Sequence, residues 1–345
     1  MKKIKSTQTE EVFPEFVECP LCGADARLVE KHCPGFIKPD MFSIYHCPAC
    51  DTQFSMPRIE NHKIYEYMYG RAYSHYRCYP KEIKKAKNPL QYLANAEPAY
   101  WAVIKIIQET AAYKKDLKIL EIGSGLGYFT YALNHAGYQT TGIDISESGV
   151  AQARQTFGDY YLCADVTKWA DKHKEEYDVV FSVETIEHVS EALPFLRSIA
   201  ACCKPRKALG GGGKIIVTTP NKSAYSSEAV WCNSLPPFHM WWLSETSMHY
   251  MAKQIDASVS FMDWSEYHRQ NRCAVRMKNP KETVRWLRAP FLDENGYAIH
   301  SKSALYKFLE NIPLAKRIFR KVMRIPEYRL QGSRGLILCT VFERE

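Results

Sequence analysis

The 345-residue sequence has no apolar run approaching the roughly 18–20 residues that a membrane span requires, so none is expected. Its N-terminus (MKKIKSTQTEEVF) is polar beyond its lysines and lacks an apolar stretch of signal-peptide length. Secretion is therefore not expected, and the expected location is the cytoplasm. No internal repeat is visible, and nothing suggests collagen-like or low-complexity architecture. Twelve cysteines are too sparse for a disulfide scaffold in a chain this long, which leaves their spacing as the informative feature. What is present is 46% apolar and 24% charged residue content, enough to bury a sizeable core. A net charge of +8 raises the question of an anionic partner.

That charge is localised. Between Trp264 and Ser333 there are 15 Lys+Arg against 6 Asp+Glu, a local net of +9, which leaves −1 for the other 275 residues. The segment mixes its basic residues with Trp, Phe and Leu at roughly helical spacing. It reads as amphipathic helices with solvated basic faces, or as a surface for a phosphate-bearing ligand or membrane lipid.

The rest divides by pattern. Residues 1–16 read as a tail, 17–60 as a zinc-ribbon-like four-cysteine module, and 61–96 as a Tyr-rich connector or cap. Residues 97–345 read as one domain carrying the basic helical insertion at about 264–333. After a helix expected at about Pro98–Tyr113, the runs LKILEIG, YQTTGIDI, DYYLCAD, YDVVFSV and GKIIVTT alternate with helix-compatible segments. Later strand candidates lie at 257–264 and 335–343. The order predicts an α/β fold with a doubly wound, mostly parallel, seven-stranded sheet covered on both faces. The Tyr-rich stretch either caps a site or packs between domains.

The N-terminal cysteines come as two knuckles, Cys19-Pro-Leu-Cys22-Gly and Cys47-Pro-Ala-Cys50-Asp, 24 residues apart. Each CxxC turn aims two thiolates at one point, and two turns complete a tetrahedron around Zn²⁺. Four thiolates leave no open position, so this zinc would hold the fold. Cys33, His32 and His46 are off the pattern. Cys78, Cys163, Cys202, Cys203, Cys232, Cys273 and Cys339 are scattered and read as core fillers.

The central motif is Glu121-Ile-Gly123-Ser124-Gly125-Leu-Gly127, placed after one strand and before a helix. Glycines there let backbone approach a ligand closely. A second strand ends in Gly142-Ile-Asp144-Ile145 and a third in Cys163-Ala-Asp165-Val166. Their carboxylates are positioned for ribose hydroxyls and an adenine amine. These runs, with YDVVFSVETIEHV and GGGKIIVTTPN, resemble the class I S-adenosylmethionine-dependent methyltransferases, and within them the ubiquinone-biosynthesis-like group. The resemblance covers about Glu97–Asn221 and, more loosely, the last strand. It implies S-adenosyl-L-methionine as cofactor. Gly123, Ser124, Gly125 and Gly127 would lie along its methionine and ribose, with Glu121 supporting the loop or the methionine amine. Asp144 and Ile145 would take the ribose, Asp165 and Val166 the adenine, and Val183 would stand at the end of the fourth strand.

The fourth strand runs into Glu184-Thr-Ile-Glu187-His188. Carboxylates three apart with an adjacent His can converge on one ion at the start of a helix. This ExxEH pattern is similar to that of the ubiquinone-biosynthesis O-methyltransferases and of the small-RNA 3′-end 2′-O-methyltransferases. A second histidine, His239, stands in LPPFHMWWLS and could return to the same cleft. Glu184, Glu187, His188 and His239 are thus the candidate catalytic set, open between holding Mg²⁺ or another divalent ion, metal-free general-base work by histidine, and a structural role. PPFHMWW also resembles a PPHH-x-x-W element of methyltransferases acting on saccharides and lipids, with Phe238 replacing one His. Trp231, Trp241 and Trp242 read as an apolar or sugar-stacking wall, or as core.

The expected activity is O-methylation of a small-molecule, saccharide or lipid-linked acceptor. The alternative is a metal-assisted RNA ribose 2′-O-methyltransferase gripping phosphates with the basic segment. Acidic residues outnumber basic ones across 17–60, which disfavours a nucleic-acid role for the four-cysteine module. A cofactor-binding scaffold without catalysis is a third reading.

Overall fold

A computed structural model describes residues 13–38, 40–61, 63–67, 69, 74–205, 212–224, 235–271, 274–275, 292–295, 297, 328–329, 333 and 335–344. Most of the basic 264–333 segment, with Trp231, Cys232 and Cys273, lies outside the described residues, as does the side chain of Cys78. No helix among the described residues is long and apolar enough to cross a membrane.

The N-terminal strands are β1 (Phe16–Glu18), β2 (Asp25–Pro34), β3 (Met41–Cys47) and β4 (Thr52–Met56). Helices α1 (Lys63–Tyr67), α2 (Ser74–Lys85) and α3 (Pro89–Ala96) follow, and α4 (Pro98–Tyr113) matches the expected helix to the residue. Proline at the first position of α3 and α4 removes a donor that would have no partner there, and the Asn88 side chain caps α3 by accepting from Gln91 N.

Then β5 (Lys118–Ile122), α5 (Tyr128–His135), β6 (Gln139–Asp144), α6 (Glu147–Phe157), β7 (Tyr161–Cys163), α7 (Val166–Trp169), β8 (Val179–Val183), α8 (Ala192–Cys202) and β9 (Lys214–Pro220) alternate. After them come β10 (Trp241–Trp242), α9 (Glu245–Lys253), β11 (Ala257–Phe261), α10 (Ser265–Asn271), the short pair β12 (Ala274–Val275) and β13 (Tyr328–Arg329), and β14 (Ile337–Arg344). The main sheet has seven strands in the order β11-β14-β9-β8-β5-β6-β7, in which β14 runs antiparallel to both neighbours. All seven expected strands are present.

Residue alternation covers both faces. Ile119, Val179, Phe181 and Ile216 point to a core shared with α4, α5 and α6. Leu120, Val180, Ile215 and Val217 point to the other, shared with α8 and α9. In the central strands β5, β8 and β9 both parities are apolar, as a doubly covered sheet demands. The second core also contains Cys19, Leu21, Tyr45 and Phe54, so the four-cysteine module packs on the same layer. The two units share a sheet as well: β10 pairs with β4, Trp241 opposite Phe54 and Trp242 opposite Gln53. Both tryptophans are fully buried, so they belong to the core rather than to a ligand wall. Cys163 departs from the core-filler expectation. It sits exposed on β7, the edge strand, where only one flank is covered.

Candidate active site

The site grows from the carboxyl edge of the sheet, where open α/β folds bind ligands. After β5 the chain turns through Gly123, Gly125 and Gly127 at φ of 76°, 51° and 79°. A Cβ on Gly123 would stand 2.5 Å from Thr185 Oγ1, so glycine is needed there for space as well as conformation. The Gly125 amide donates to Asp144 Oδ2 (2.7 Å) and the Ser146 amide to Oδ1 (2.8 Å), which fixes the carboxylate at the end of β6.

A cavity of about 480 Å³ opens on this edge. Glu121, Gly123, Ser124, Gly125, Asp144, Ile145, Asp165, Val166 and Val183 all line it. Gly127 is the exception among the expected cofactor residues. It lies behind the loop, where a Cβ would meet the Tyr161 ring at 2.6 Å, so its smallness serves packing of α5 against β7. Glu121 accepts from the Thr130 hydroxyl, and burial pushes its carboxyl up to about 8. Asp144 is also raised by burial, against the two amides that lower it. Asp165 caps α7 through Oδ1, accepting from Thr167 N at 3.0 Å and Thr167 Oγ1 at 2.7 Å; Oδ2 meets the Lys168 ammonium at 3.4 Å.

The four expected catalytic residues separate. Glu184 and His188 line the cavity; Glu187 and His239 lie behind it. Glu184 has a φ of 48°, uncommon for a residue with a side chain, and its amide donates to Thr218 O (3.0 Å) and Oγ1 (3.1 Å). Burial, then repulsion from Glu97, raises its carboxyl to about 7. Glu187 is fully buried, and neither carboxylate oxygen meets a partner in hydrogen-bond geometry. Burial and Glu184 hold its carboxyl well above the usual range, and the nearby Thr219 hydroxyl opposes them weakly.

Glu187 Oε1 faces His188 Nε2 at 3.9 Å, too far for a hydrogen bond. His188 Nδ1 instead meets the Phe238 carbonyl and must donate to it, which leaves Nε2 as the unprotonated nitrogen. Burial lowers His188 to about 4, and burial, then His188, holds His239 well below the usual histidine range, so both rings are neutral near pH 7. The rings meet edge to face at 4.6 Å, and His239 Nδ1 is buried without a partner. One ligand atom from each of Glu187, His188 and His239 lies within 4.8 Å of the others. Glu184 is outside that group. One carboxylate with two imidazoles is a donor set able to hold a metal ion.

Sequence reasoning named no individual residue of the aromatic roof. Tyr65 and Tyr69 line the cavity, stacked at 6.3 Å, and Tyr65 meets the His188 ring edge on at 6.4 Å. Tyr69 OH hangs over Gly125. Tyr100 and Tyr128 line it too, their hydroxyls bonded at 2.6 Å. The density of tyrosine in residues 65–79 was the available signal. Not all of it caps: Tyr79 packs on Tyr128 and donates to Glu97.

In the four-cysteine module all the thiol sulfurs lie within 4.8 Å of one another, with Cys19–Cys50 at 3.7 Å and Cys22–Cys47 at 3.5 Å. Tetrahedral zinc–thiolate bonds of about 2.3 Å imply sulfur spacings of about 3.8 Å, so the geometry fits. Gly23 and Asp51, each following the second cysteine of its knuckle, take φ of 78° and 52° as the tight turn requires.

Comparison with known proteins matches residues 120–209 to the methyltransferase domain family. The ubiquinone biosynthesis O-methyltransferase of Bordetella bronchiseptica is 32% identical over 125 residues, 35% of this chain and 49% of that protein. That of Paramagnetospirillum magneticum is 26% identical over 207 residues, 59% of this chain and 71% of that protein. The chain thus spans about half the length of the Bordetella relative. A solved SAM-dependent methyltransferase from Archaeoglobus fulgidus aligns over 79% of this chain and 100% of that one, at 12% identity and a TM-score of 0.43. Over residues 120–209 the chain is thus similar to a methyltransferase domain.

Proposed function

We propose that this protein transfers a methyl group from S-adenosylmethionine to an oxygen of a small-molecule, saccharide or lipid-linked acceptor. One observation carries the reading. Residues at the ends of β5, β6 and β7 suited to the cofactor meet Glu184, His188 and Tyr65 across a single cavity. Bound there, the cofactor supplies a methyl carbon already activated by sulfonium. Asp144, its oxygens each held by one amide, keeps lone pairs for ribose hydroxyls, and Asp165 Oδ2 keeps them for the adenine amine. Glu121 offers a buried carboxyl to the methionine amine. Tyr65 and Tyr69 exclude water from above.

On the acceptor side, two chemistries are available to these residues. Glu187, His188 and His239 fit a divalent transition-metal ion, which would polarise an acceptor hydroxyl. With Nε2 of His188 so engaged, Glu184 is the group placed to take the proton. Without an ion, neutral His188 Nε2 takes it. The buried, partnerless oxygens of Glu187 favour the ion. The four N-terminal cysteines hold a structural zinc in this reading.

Two measurements test it. Asp144→Ala should weaken S-adenosylhomocysteine binding by at least about tenfold, the cost of losing hydrogen bonds to a charged group; equal affinity by calorimetry refutes the ribose assignment. Turnover, read as S-adenosylhomocysteine release, should fall on chelation and return on metal add-back. Turnover unchanged in excess chelator assigns proton removal to His188 instead.

A further inference from the structure

Residues 239–247 join the four-cysteine module to the acceptor half of the cavity, alongside Arg58 and Glu60, which bond Ser190 at the cavity wall. Met240 N donates to Glu187 O at 2.7 Å, and Met240 O accepts from Ser55 N of β4 at 3.0 Å. The next two residues form β10, paired to β4. Beyond them, Ser247 Oγ bonds Thr52 Oγ1 (2.8 Å) and donates to the carbonyl of the ligand candidate Cys50 (3.0 Å). The Glu187 carboxylate oxygens and His239 Nδ1 meet no hydrogen-bond partner that would fix them, so this backbone frame sets where they stand.

An ion pair between buried Lys222 and half-buried Asp51 braces the frame. Lys222, at the end of β9, is 2% exposed; its ammonium reaches Asp51, directly after Cys50, and its amide donates to Leu243 O at 3.0 Å. Asp51 also accepts from His46 Nε2 at 3.0 Å. A lysine buried to this degree gains little over an apolar side chain in stability, and registry is the best-attested use of such a pair. The cofactor loop is fixed separately, Gly125 by Asp144 and Gly123 by Ile143.

We propose that Lys222 and Asp51 are positioning residues: through them the second cysteine knuckle sets the register of residues 239–247, and so the placement of Glu187 and His239, leaving the cofactor loop alone. The proposal rests on the reading of Glu187 and His239 as acceptor-side residues. Lys222→Met keeps the length of the side chain and removes its charge. Amide hydrogen exchange should then quicken by at least roughly tenfold in peptides covering 184–190 and 235–247, with 118–127 unchanged, as local opening predicts. S-adenosylhomocysteine affinity should stay within about twofold. Asp51→Asn should act through the same pair, so the double variant should exchange no faster than Lys222→Met alone. Additive effects, uniform acceleration across all three peptides, or no change would each overturn the proposal. If Lys222→Met does not fold, the milder Asp51→Asn is read by the same peptides. Wild-type protein that binds no S-adenosylhomocysteine refutes the cofactor reading alone, and the exchange pattern still decides the strut.

Discussion

At the scale of single residues, burial controls the protonation of this site more than neighbouring charge does. Glu121 was legible from its place before the glycine loop, but not its protonation state, which depends on how completely α5 and β6 close over it. Its folded value near 8 exceeds its ordinary value near 4.5, so the folded chain holds a proton that the unfolded chain has lost between those pH values. Stability of the ligand-free protein should therefore fall as pH rises from about 4.5 to 8 on account of this group. In the proposed reading, a cationic cofactor beside it would reverse the preference and drive the proton off. Binding at pH 7 should release up to about one proton, seen as a binding enthalpy that varies with buffer ionisation heat. Glu121→Gln should abolish that dependence. A buffer-independent enthalpy in the wild type would count against Glu121 facing the cofactor.

At the scale of elements, the strands were legible because the central ones, β5, β8 and β9, are short runs of buried apolar residues bounded by turn residues. Cys163 was misplaced because sequence pattern does not reveal which strand lies at an edge. Gly127 was legible as a glycine position but not for the Tyr161 ring it must admit, which comes from another strand. Tyr161 OH donates to Gly127 O at 2.6 Å, so ring and loop are held together. Gly127→Ala combines a positive φ with a Cβ 2.6 Å from that ring and should destabilise the fold by roughly 2–4 kcal/mol. Gly137 has a φ of 94° with nothing within 4 Å of the added carbon, and its alanine variant should cost only about 1 kcal/mol. Denaturant unfolding of the pair checks this. Equal losses would mean that backbone strain alone, and not the Tyr161 contact, sets the requirement at 127.

At the scale of the whole molecule, the two CxxC knuckles could be read from spacing, but their attachment could not. One partner of β4 is a two-residue strand in a segment whose tryptophans read as a ligand wall or as core, and strand pairing between such distant segments leaves no local pattern. The consequence is cooperative. Since β10 completes the N-terminal sheet, and Cys19, Tyr45 and Phe54 share one core with Leu120 and Val180, the four-cysteine module is not free to melt by itself. Cys47→Ser should remove zinc, read as the loss of about one equivalent per chain. Scanning calorimetry should then show a single transition displaced downward for the whole chain, because the shared core unfolds with the knuckle. Two separated transitions, with the methyltransferase sheet melting at its original temperature, would show instead that the module is an appendage. In that case the register of residues 239–247 would have to be set by β9 and α9 without it.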